Sequence, residues 1–126
     1  MASKPVLMNA VFDQFTSFVK ELIEMYPDDV DFSLFLNSLK ILKTTNPSLL
    51  IKYVYENTSQ FEEQILNKDE KFFVNYSFSE YSDNVDLNIF SKLKQYLENM
   101  TLETKENVWK YIQNIYRLCK AISNMN

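Results

Sequence analysis

The chain contains no glycine, no histidine, one cysteine, one arginine and three prolines in 126 residues. Average usage would supply about nine glycines. Without glycine, no backbone position can depend on that residue's freedom at φ > 0. Hairpin turns of the Asn-Gly or Gly-X kind are excluded. So are the phosphate-cradling Walker loop and the dinucleotide-binding fingerprint. A helix that ends on a left-handed residue can use asparagine instead. Without histidine there is no Ser-His or Cys-His dyad and no imidazole base. The single cysteine, Cys119, cannot close a disulfide within the chain or build a multi-cysteine zinc or iron–sulfur site. One isolated thiol also points to a reducing compartment. No run approaches the roughly 18 apolar residues of a membrane span. The opening MASKPVLMNAVFDQF lacks the apolar core of a signal peptide. The expectation is a chain that is neither secreted nor inserted in a membrane.

What is present suits a packed domain. Apolar residues make up 46% of the chain, which rules out a disordered composition. The length suits one domain covering residues 1–126. The net charge is −4, so there is no basic excess to neutralise phosphates, and polyanion binding is a poor default. Phe, Tyr, Met, Ile, Asn and Lys together supply 56 residues. An AT-rich genome produces that bias, and it accounts for part of the missing glycine.

Apolar spacing predicts an all-α fold of five to seven helices, bundle-like or orthogonal. Residues 6–26 carry Val11, Phe15, Phe18 and Leu22 in one stripe, widened by Val19, Ile23 and Tyr26. Pro27 ends that helix. A second helix is expected from Asp31, as N-cap, to about residue 44, with Phe32, Phe35, Leu36, Leu39 and Leu42 inward. Asn46-Pro47 starts a third. It weakens at Asn57-Thr58, after which Ser59 and Glu62 have capping-box spacing ahead of Phe61, Ile65 and Leu66. Asn67 is the expected left-handed cap. Val85–Asn99 reads as a further helix. The last is capped by Thr101 or Thr104 and carries Val108, Ile112, Ile115, Cys119 and Ile122 at steps of four, three, four and three. That spacing serves either packing within the domain or a seam for a homodimer.

Polar candidates are few. Asp28, Asp29 and Asp31 form an acidic turn that could hold a hard cation, but helix capping explains them better. Glu62 with Glu63, and Asp69 with Glu70, are carboxylate pairs without any substrate-positioning motif. Cys119 lies on an apolar stripe and reads as a buried small hydrophobe. Trp109 reads as a core anchor. Lys105, Lys110, Arg117 and Lys120 make the last helix partly basic, an alternative nucleic-acid or chromatin-binding face. No metal site, cofactor, catalytic residue or small-molecule substrate is implied.

The segment NKDEKFFVNYSFSEYSDN, residues 67–84, breaks the helical pattern with five aromatic residues among acids, asparagines and serines. One helical face cannot hold them all. The expectation divides them. Phe72 and Phe73 anchor the segment, while Tyr76, Phe78 and Tyr81 present a contact surface with Glu80 and Asp83 as its acidic rim. Aromatics carry much of the binding energy at protein interfaces.

The stretches FEEQILNKDEKFF (61–73), YSFSE (76–80) and LKQYLENMTLETKENVWKYIQNIYRLCK (93–120), above all KENVWKYIQ (105–113), resemble a family of small helical proteins of giant DNA viruses, marseillevirus-like and related. The resemblance implies an intracellular helical protein made during infection, in the host cytoplasm or nucleus or in the virion. It brings no catalytic residue to this chain. From the missing catalytic motifs and the aromatic segment, the expectation is a non-enzymatic protein that acts on a viral or host protein as an adaptor or particle component.

Overall fold

Ser3 and Pro5 set the first helix. In the computed structural model, which describes residues 3–78 and 88–125, α1 runs Lys4–Met25. The Ser3 hydroxyl accepts from the Val6 N–H at 3.4 Å, and Pro5 sits in the first turn, where no amide donor is needed. α2 spans Val30–Thr45. Its N-cap is Asp29, not Asp31: the Asp29 carboxylate accepts the Asp31 N–H at 3.0 Å. Asp31 therefore becomes a first-turn acid, favourable to the helix dipole. α3, Pro47–Thr58, begins on proline as expected, although Asn46 makes no side-chain cap bond.

The end of α3 has a local cause. The Asn57 amide donates to the Tyr53 carbonyl at 2.9 Å, and the Thr58 hydroxyl donates to the Val54 carbonyl at 2.7 Å. Such bonds back to the preceding turn compete with the helix ladder and bend it. A 3-10 turn follows at Ser59–Phe61, then α4 at Glu62–Leu66. The capping box does not form, because Ser59 lies inside the 3-10 turn and Phe61 takes the N-cap position. The left-handed residue after α4 is Lys68, with φ 56°, one position beyond the expected Asn67. Asp69 caps α5, Glu70–Asn75, by accepting the Phe72 N–H at 3.1 Å. α6 covers Ile89–Leu97, shorter than the expected 85–99; residues 85–87 lie outside the described residues. α7, Leu102–Ser123, is capped by Thr101, whose hydroxyl accepts from the Thr104 N–H at 3.1 Å.

The fold is all-α, with no strand among the described residues. α1 packs against α7 and α2, α3 against α7, and α6 against α5 and α2. Phe12, Phe15, Phe18, Phe32 and Phe35 are fully buried between them, and Phe15 meets Phe35 edge-on at 5.7 Å. Each such ring contributes about 1.5–3 kcal/mol by leaving water. Val108, Ile112, Ile115, Cys119 and Ile122 are all buried, so the stripe on α7 is covered within the chain and offers no seam to a second copy. No helix among the described residues is long and apolar enough to cross a membrane.

Candidate interaction surface

α5 lies across the junction of α4, α6 and α7, and its two adjacent phenylalanines serve different layers. Consecutive helical residues point about 100° apart, so Phe72 and Phe73 cannot share a face. Phe73 turns inward, 5.1 Å from Phe78, 5.8 Å from Trp109 and 6.4 Å from Phe90. Phe72 turns outward with Tyr76, four residues on, and Phe61 of the 3-10 turn joins them. The three rings form a triangle with centroids 4.7, 4.5 and 5.5 Å apart, and all three are half-buried. The space between the layers amounts to about 10 Å³, barely one water. A small-molecule pocket needs roughly 300 Å³ or more. The arrangement is thus a packed aromatic face and not a cavity.

Polar contacts hold this face in place. Lys94 donates to the Tyr76 carbonyl at 2.6 Å and pins the chain where α5 ends. Lys105 pairs with Glu70 at 2.9 Å, tying α5 to α7. The Gln113 amide reaches from α7 to the Ile65 and Leu66 carbonyls, both at 3.2 Å, and satisfies the open C-terminal end of α4. Glu62 accepts from Lys120 and Tyr116, and these bonds hold its carboxyl below the usual range. Burial, with the Glu62 carboxylate beside it, pushes the Tyr116 hydroxyl up to about 12. Around the rings the rim is polar: Glu63, Lys68, Asp69 and Lys71 are exposed.

This geometry revises the surface read from the sequence. Tyr76 stays, half-buried, on the outer layer. Phe78 does not: it is 7% exposed, lies between Phe73 and Phe90, and belongs to the core. Phe72, expected as an anchor, is an outer ring. Glu80, Tyr81 and Asp83 lie outside the described residues. Phe61 was missed. It was grouped with Ile65 and Leu66 on a fourth helix, whereas it closes the 3-10 turn ahead of α4 and so lies outside that helix's face. The four-residue spacing of Phe72 and Tyr76 was the available signal for their shared face.

The acidic turn has a structural partner. Lys92 of α6 bridges Asp29 at 2.8 Å and Asp31 at 2.9 Å, and the Tyr96 hydroxyl donates to Asp29. Burial alone would raise the Asp29 carboxyl; the bonds from Lys92, Tyr96 and the Asp31 N–H outweigh it and hold the carboxyl below its ordinary value. The same contacts raise Lys92. Tyr26 stacks on Tyr96 at 4.0 Å and covers the group. Among the described residues, no three His, Cys, Asp or Glu side chains gather closely enough to hold a metal ion.

The four cations of α7 separate. Lys105 and Lys120 are engaged with Glu70 and Glu62. Lys110 and Arg117 are exposed, two turns apart on one face. Cys119 is fully buried, and burial pushes its thiol up to about 12. Trp109 is buried as well. No family model, curated protein or solved structure matches the chain.

Proposed function

We propose that the protein is a non-enzymatic component that works by protein–protein contact, presenting Phe61, Phe72 and Tyr76 to a partner as an adaptor or particle component of a large DNA virus. The observation that carries this reading is the outer aromatic triangle: three rings in mutual contact, partly open to solvent, with exposed charged residues beside them in sequence, and locked by Lys94, Lys105 and Gln113. Preorganised aromatics with a polar rim are what protein interfaces use. Of the carboxylates singled out in the sequence, all but Asp28 and Glu63 serve as structural groups. Asp29, Asp31, Glu62, Asp69 and Glu70 each have a structural partner. The viral assignment, and with it a place in host cytoplasm, nucleus or virion, rests on the resemblance over residues 61–80 and 93–120. The alternative nucleic-acid face keeps only Lys110 and Arg117 unengaged by Glu70 or Glu62, on a chain of net charge −4.

The test is proximity labelling in infected cells with wild type and the Phe72→Ala/Tyr76→Ala double variant as baits. Interface aromatics of this kind contribute about 2 kcal/mol or more. Partner recovery should therefore fall at least tenfold while circular dichroism and the melting transition show an intact fold. An unchanged partner set from a folded variant would overturn the reading.

A further inference from the structure

α2 has a second face that the core does not use. Phe32, Phe35, Leu39 and Leu42 point inward. On the opposite side, Val30, Leu34, Asn37, Ile41 and Thr44 follow one another at steps of four, three, four and three, and all are exposed. Val30 is 67%, Leu34 52% and Ile41 42% open to solvent, three of the largest apolar exposures on the molecule. That spacing is the seam of a helix pair. Its polar members fit the same reading. The hydroxyls of Thr44 and Thr45 both donate to the Ile41 carbonyl, at 3.1 and 2.8 Å, so their donor capacity is already used within the helix. Asn37 stands near the centre and interrupts the apolar row, which limits the strength of any pairing along it.

We infer that this face pairs with the same face of a second copy of the chain, antiparallel, about a two-fold axis between positions 37 and 38. Charge fixes the occupant and the direction. The N-terminal end of α2 carries Asp28, Asp29 and Asp31, which remain net negative after Lys92 is counted. The C-terminal end carries Lys40 and Lys43, both exposed. An antiparallel pair sets each acidic end against the other copy's basic end and opposes the two helix dipoles. A parallel pair would place like against like. The antiparallel register that matches Leu34 with Ile41 also sets Val30 against Thr45 and leaves the two Asn37 side chains on either side of the axis. A surface complementary to itself in this way is what a two-fold dimer requires. One helix pair of this length lies at the low end of specific interfaces, about 1,200 Å² in total or less. The dimer should therefore dissociate on dilution. This surface is independent of the aromatic face, and either can fail without the other.

Sedimentation equilibrium of the full chain, from micromolar to millimolar concentration, tests the inference. Wild type should shift from monomer to dimer. Leu34→Glu and Ile41→Lys, each at an exposed site and checked for an unchanged melting transition, should each remain monomeric. An equimolar mixture of the two variants should dimerise again, because antiparallel pairing sets Glu against Lys on one side and keeps Ile against Leu on the other. Parallel pairing would give no such rescue. A wild type that stays monomeric throughout would overturn the inference. So would a Leu34→Glu variant that still dimerises, which places the contact elsewhere, or a mixture that does not recover.

Discussion

Lys68 shows what a chain without glycine does at a helix end. It has the one positive φ among the described residues, and it closes α4 in a full left-handed cap. Its own N–H bonds to the Ile65 carbonyl at 3.2 Å, and the Asp69 N–H reaches the Gln64 carbonyl at 2.9 Å. That pair of bonds satisfies open carbonyls at the helix end. The left-handed region costs a residue with a Cβ about 1 kcal/mol, and glycine avoids the clash at the expense of a more flexible unfolded chain. Lys68→Gly is expected to raise stability by about 0.5 kcal/mol, read as a higher urea midpoint at unchanged slope. Asp29 supports a second prediction, in pH. Its folded carboxyl is held below its unfolded value. The group therefore contributes stability that is fully present above the unfolded value of about 3.9 and is lost as pH falls through the lower, folded one. Asp29→Asn keeps a capping acceptor but cannot titrate. It should be the less stable protein at neutral pH and should lose less between about pH 4 and pH 2. Equal acid slopes for the two proteins would show that Lys92 and Tyr96 do not favour the charged form.

Among the elements, the long helices were readable because each carries one uninterrupted apolar stripe and a chemical start signal. Pro5, Asn46-Pro47 and Thr101 stand at or next to the starts of α1, α3 and α7, although α1 begins at Lys4, two residues before the expected position 6. The short ones were not. α4 and α5 have five and six residues, too few for a period to declare itself. Their phase is set by contacts distant in sequence that no local pattern contains. Gln113 to Ile65 and Leu66, Lys105 to Glu70 and Lys94 to Tyr76 are the main ones. This is why the rings of 67–84 were only partly assigned, with Phe72 and Phe78 exchanged between the layers, and why Phe61, just before that segment, was overlooked. Gln113 is the test of that dependence. It is nearly buried, and Gln113→Leu keeps the volume while leaving two carbonyls of α4 without their donor. The loss should be about 1–3 kcal/mol. Amide exchange should accelerate first in α4 and α5 and leave α1 and the middle of α7 protected. A uniform change across all helices would mean that α4 and α5 unfold only with the whole molecule.

For the molecule as a whole, the composition and the fold agree. Without glycine and histidine the described residues form a helical body whose one thiol is sealed in the core on the inward stripe of α7. Cys119 is fully buried, so a thiol reagent reaches it only when the core opens. With a global stability of several kcal/mol, native labelling should be at least about a thousandfold slower than in urea. Its pH dependence carries more information. The folded thiol titrates near 12, whereas an unfolded one titrates near 8.5. Below about pH 8.5 both states hold the proton and the contribution does not change. As pH rises, the unfolded chain releases the proton first, and stability is lost up to the folded value. Tyr111, raised to about 12 by its bond to Glu21 and by burial, and Tyr116, raised to about 12 by burial and by Glu62, repeat this from about pH 10. Alkaline destabilisation should therefore come in two stages, a first that belongs to the sulfur and a second to the phenols. Cys119→Ala, whatever its baseline stability, should remove the first and keep the second. Urea midpoints measured from pH 8 to pH 11 resolve the two. A wild type whose midpoint is flat to pH 10, or labelled in native buffer as fast as a free thiol, would mean that the last helix does not pack its stripe inward, and the closed core would have to be abandoned.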